Sequence, residues 1–138
     1  MTSWRGTLLA GAVIGLACGS PTEGCGCPPT PASATVFGRV QTAAGAPVAQ
    51  AFVSAYIGFD GDCGARESAD GSALTRDDGT YTVRILGGVE PEPTCVLVRA
   101  RAPFESGLPD APDTTVTLTF RYAAPFDSTR VDATLGAP

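Results

Sequence analysis

The chain has 138 residues and a formal net charge of −5, with 14 Asp and Glu against 9 Arg and no Lys, His or Asn. That composition excludes a His-based triad, a His-bound zinc, an imidazole base, a Ser–Lys dyad and a Schiff base. The acidic balance argues against a nucleic-acid partner, which wants a basic footprint, and against electrostatic docking on anionic lipid.

The first element in chain order is a leader. Arg5 supplies one positive charge, residues 7–17 carry none, and the stretch closes with Leu16-Ala17-Cys18. A charged start, a short apolar run and a small residue before the cut describe a secretory signal peptide over residues 1–17. The run is too short to cross a hydrocarbon core, which needs about 20 helical residues. It resembles a bacterial lipoprotein signal, which makes Cys18 the acylated residue, although Gly15 stands where that pattern prefers Leu. Plain secretion is the alternative. Because Gly19 rather than Asp follows Cys18, the outer membrane is the expected address in a double-membraned cell. Residues 18–34 are Gly, Pro, Ser, Thr, Ala and Cys with Glu23 as the only charge, a composition that reads as a tether. Residues 35–138 are of ordinary size for one domain with a single core.

Within that domain the hydrophobic period is two, so strands are expected. Residues 35–42 form the first, ending in a turn at 43–47. In residues 48–57, Ala51, Val53, Ala55 and Ile57 share one face and Phe52, Ser54 and Tyr56 the other. Residues 72–76 and 80–86 flank Asp77-Asp78-Gly79, a hairpin turn in which Gly79 takes positive φ without steric cost. Tyr81, Val83 and Ile85 then point inward, with Thr82 and Arg84 outward. Residues 94–101 follow, and residues 114–122 alternate Val116, Leu118, Phe120 and Tyr122 with Thr115, Thr117, Thr119 and Arg121. Residues 128–135 close the series. Seven strands without a helical period make an all-β sandwich.

Three stretches carry a family likeness: Gly38-x-Val40, Gly45-x-Pro47-Val48-x-x-Ala51-x-Val53, and Thr75-x-x-Asp78-Gly79-x-Tyr81-x-Val83. They resemble the carboxypeptidase regulatory-like, or transthyretin-like, domain over most of residues 35–101. In such a domain Gly45 and Pro47 shape the first turn, Ala51 is small where two sheets approach, and Tyr81 plugs the core. The resemblance implies a seven-stranded Greek-key, transthyretin-like sandwich and an accessory, usually non-catalytic module on exported proteins. Related sandwiches part from this chain: it lacks the His of 5-hydroxyisourate hydrolases, the Lys of amide-locked adhesin domains and the exposed Trp of starch-binding domains.

The cysteines and acids supply the remaining signals. If each strand crosses the sandwich once, the loops 58–71 and 87–93 and the tether lie at one end, and the turns 43–47, 77–79 and 102–112 at the other. Cys63 and Cys95 thereby fall together and are the preferred disulfide. With Cys18 acylated, the other pairings join these two to Cys25 and Cys27. The same end gathers Asp60, Asp62, Glu67, Asp70, Glu90 and Glu92 against Arg66. Like charges held together by a covalent bond repel, which invites a basic protein surface in the envelope or a divalent cation. Merely solvated loops are the alternative. The acids fail the EF-hand pattern, with Gly71 at its twelfth position, so no dedicated metal-ligand set and no cofactor are expected. Phe52, Tyr56 and Phe104 are candidates for a partner surface or for sheet packing. The expected protein is an exported, lipid-anchored or secreted interaction module, not an enzyme. The alternative is a carbohydrate- or small-ligand-binding module, which calls for an aromatic platform.

Overall fold

Alternating apolar residues give eight strands in a computed structural model that describes residues 30–136 apart from Val89 and Pro91. The signal peptide, Cys18, Cys25, Cys27 and most of the tether lie outside the described residues. The strands are β1 (Ala32–Thr42), β2 (Phe52–Ile57), β3 (Gly71–Leu74), β4 (Thr80–Gly88), β5 (Pro93–Arg101), β6 (Thr114–Thr119), β7 (Ser128–Arg130) and β8 (Ala133–Leu135). One sheet places β1 between antiparallel β4 and the parallel pair β7 and β8; the other has the order β3-β2-β5-β6. The fold is an all-β sandwich. Its core is the inward set of both sheets, with Val36, Val40, Val83 and Ile85 facing Val53, Val96, Val98 and Leu118, all buried.

Several boundaries differ from the sequence pattern, each for a physical reason. β1 starts at Ala32, so residues 32–34 leave the tether: Ala32, Ser33 and Ala34 are all buried. The final strand of the pattern is two strands, because Val131 turns into the core and interrupts the ladder. Its N–H donates to the Phe37 carbonyl at 2.8 Å. A Cβ on Gly38 would stand 1.9 Å from the Val131 oxygen, so only glycine fits beneath that crossing.

Asp77-Asp78-Gly79 does turn the chain, with Gly79 at φ 77° and the Arg76 N–H donating to Thr80 O at 2.9 Å. The flanking strands separate, however, since β3 pairs with β2 and β4 with β1. The turn carries the chain from one sheet to the other. A second such passage ends β6 at Thr119. Phe120 is fully buried, Arg121 bridges to Ser33 in the opposite sheet, and Tyr122 is exposed rather than part of the core. Gly88 admits the Phe120 ring, which a Cβ would meet at 1.9 Å. Ser54 and Tyr56 face away from the core as expected, yet both are buried. Leu97 lies opposite Tyr56, and the Arg99 guanidinium sits 5.9 Å from the Tyr56 ring centre, held by both Asp113 oxygens at 2.9 and 2.7 Å.

Candidate functional site

The motif residues are structural. Gly45 takes φ 84° and its N–H donates to Thr42 O, while Pro47 bridges Gln41. Ala51 is fully buried and donates its N–H to the Thr75 hydroxyl. Asp78 accepts from the Thr80 hydroxyl at 2.6 Å and the Thr80 N–H at 3.0 Å. Those bonds, the hydroxyl first, hold its carboxyl below the usual carboxylate range. Tyr81 is buried, donating to the Val131 carbonyl.

Cys63 and Cys95 stand at disulfide distance, with Cα atoms 5.7 Å apart. The bond ties the loop after β2 to the start of β5. Before it, Phe59 and Asp62 exchange N–H donors at 3.0 and 2.8 Å around Asp60 and Gly61, which take φ 51° and 81°. Positive φ at both central residues is what a tight two-residue hairpin requires, and Asp-Gly is its preferred pair.

The six acids of this end do not act together. Asp70 accepts the Ile57 N–H at 2.7 Å and pairs with Arg66 at 2.6 Å, so it fastens its loop to β2. Glu90 accepts the Tyr122 N–H at 2.9 Å. Glu67 is exposed on the loop. Asp60, Asp62 and Glu92 border one recess of about 410 Å³, beside Phe59, Thr94 and Cys95. None of these three forms an ion pair among the described residues. Among the described residues no group of three or more His, Cys, Asp and Glu is placed to hold a metal ion, so the acids face a recess rather than a common point.

A second recess was not anticipated from sequence. It is a groove of about 750 Å³ on the outer face of the β4-β1-β7 sheet. Thr35, Phe37 and Arg39 of β1, Arg76 of the inter-sheet turn, Thr82 of β4 and Arg130 of β7 line it. Its three arginines lie far apart in sequence, so no local motif announces them. The available signal was the alternation of Phe37 and Arg39 with Val36 and Val40, which puts both on the solvent face. Of the aromatic candidates, Phe52 and Phe104 are exposed and Tyr56 is not.

No family model matches the sequence, and no curated protein matches it. Solved structures do. The dioxygenase domain of a dioxygenase–carbohydrate-binding protein fusion from Streptomyces sp. SirexAA-E is 20% identical at a TM-score of 0.45, over 80% of this chain and 84% of that one. A chlorocatechol 1,2-dioxygenase from Pseudomonas putida is 14% identical at 0.46, over 75% and 59%. Catechol 1,2-dioxygenase from Acinetobacter sp. ADP1 is 18% identical at 0.47, over 80% and 54%. The chain thus spans little more than half of each of these last two. Against the expectation that the protein is not an enzyme, these three solved chains are a dioxygenase domain and two dioxygenases. Missing His and Lys exclude the chemistries that need them and no others. At these identities and TM-scores the likenesses assign no reaction, substrate or cofactor to this chain.

Proposed function

We propose that the protein is an exported interaction module of the cell envelope whose disulfide-bonded acidic end docks a basic protein surface. One observation carries the reading: Asp60, Asp62 and Glu92 border a single recess and have no ion-pair partner among the described residues. Carboxylates on a tight hairpin and beside a disulfide-linked strand lose little entropy when a cationic side chain arrives. Opposite charge also speeds the encounter. The leader and the likeness to carboxypeptidase regulatory-like domains support export and an accessory role, with acylated Cys18 as the anchor.

An oligolysine peptide tests the docking half. The D60N/D62N/E92Q variant should bind it about tenfold or more weakly than wild type with an unchanged far-UV spectrum, in keeping with loss of charge-assisted contacts. Equal binding overturns the assignment. For the anchor, incorporation of labelled palmitate into wild type and its loss in Cys18→Ala is the expected result. Unlabelled wild type overturns it.

A carbohydrate- or small-ligand-binding role is the second reading. The arginine-lined groove favours it.

A further inference from the structure

We propose that the groove on the β4-β1-β7 sheet binds an acidic polysaccharide through the carboxylates of its uronic-acid units. The site is independent of the acidic end, and it gathers cations in a protein whose overall balance is acidic. Arg39, Arg76 and Arg130 line it and no carboxylate does. Arg84, opposite Thr35 in the strand register, continues the row along β4.

Acids lie near two of the three lining arginines. Asp132 pairs with Arg130 at 3.0 Å, and Asp78 stands near enough to Arg76 to feel its charge. Arg39 is different. Only its backbone N–H meets Asp132, at 3.0 Å, while its side-chain Nε is buried with no hydrogen-bond partner among the described residues. A buried guanidinium N–H without an acceptor is costly. Arg39 also lines the groove, and the planar fork of a guanidinium matches a planar carboxylate in two parallel bonds.

The rest of the lining selects the carrier of that carboxylate. Phe37 is 40% exposed in the centre of the face, between Thr82 on β4 and Arg130 on β7. Thr35, Thr82 and Ser128 line the groove around it. An aromatic face covers the C–H face of a sugar ring, and hydroxyls donate to and accept from sugar hydroxyls. A bare phosphate would leave Phe37 and the hydroxyls of the groove unused. From Thr35 to Arg39 the strand runs about 13 Å, which suits a short stretch of chain rather than a single ion. The volume, about 750 Å³, falls within the range of ligand clefts.

The probes are oligogalacturonate, its methyl ester, and oligoglutamate, titrated calorimetrically into the oxidised protein. Wild type should bind oligogalacturonate and lose it on esterification. Arg39→Gln should weaken binding about tenfold or more, the loss of a charge-assisted pair. Phe37→Ser should weaken it too, with far-UV spectra unchanged in both variants. Arg76→Gln, in an exposed turn, serves as the second variant if Arg39→Gln does not fold, and it too should weaken binding. D60N/D62N/E92Q should bind the sugar as wild type does, which separates this site from the acidic end. No binding of the uronate, equal binding of its ester, indifference to Phe37→Ser, or oligoglutamate binding as tight as the sugar would each overturn the proposal.

Discussion

The Tyr81 hydroxyl donates a hydrogen bond to the Val131 carbonyl at 2.5 Å, across 50 residues of sequence, and closes the first sheet where its last strand breaks. Tyr81 comes from β4 and Val131 from the joint between β7 and β8. Gly38 of β1 lies under that joint because a Cβ there would strike the same carbonyl oxygen. Three elements therefore meet at one backbone oxygen.

Tyr81→Phe leaves that oxygen buried without its donor, at a cost of about 1–3 kcal/mol. For a domain of this size that lowers Tm by roughly 4–8 °C per kcal/mol. Gly38→Ala should be worse, since the obstacle is backbone rather than a flexible side chain. Thermal melts of both variants check the order. An unaltered Tm in Tyr81→Phe would show that the bond contributes nothing.

Burial, and then the charge of Asp132, raise the Tyr81 pKa above the ordinary tyrosine value. The folded phenol holds its proton more tightly than the unfolded one. Its contribution to stability is therefore complete below about pH 10 and is lost as the pH rises through the folded value. Denaturant unfolding at a series of alkaline pH values should show a steeper fall in wild type than in Tyr81→Phe. Parallel curves would place the alkaline loss elsewhere.

Thr75 is buried, and its hydroxyl accepts from the Ala51 N–H at 2.9 Å while donating to the Val48 carbonyl at 2.6 Å. Thr75→Val preserves the shape and strands both partners, so it should cost about 2–4 kcal/mol. Thr75→Ser keeps the hydroxyl and should lose far less. Equal losses in the two variants would make this a packing effect.

Cys63 and Cys95 enclose a loop with a sequence separation of 32. Removing the bond in Cys63→Ala/Cys95→Ala should cost about 3–4 kcal/mol by loop entropy. Reduced wild type should match the double variant in denaturant midpoint. If reduction leaves the midpoint of the wild type unmoved, the bond constrains nothing.

Period-two alternation was enough to place the core of this protein. Val53, Ala55, Val83, Ile85 and Leu118 are inside because a strand sends alternate side chains to opposite faces, and that rule is local. Chain direction alone put Cys63 beside Cys95, since a strand that crosses the sandwich must end on the far side. Asp78-Gly79 and Gly45 were legible as turns because their backbone requirement is carried by the residue itself. What stayed hidden depends on partners remote in sequence. The passage of the chain between sheets at Asp77–Gly79 and at Phe120 rests on strand pairing, which no single segment encodes. Tyr122 left the core because its neighbour Arg121 pairs with Ser33. Asp70 and Glu90 turned from candidate ligands into loop fasteners once the Ile57 and Tyr122 N–H groups came within reach. Arg39, Arg76 and Arg130 became one surface only when β1, the inter-sheet turn and β7 were laid side by side, because charge adds up in space and not along the chain.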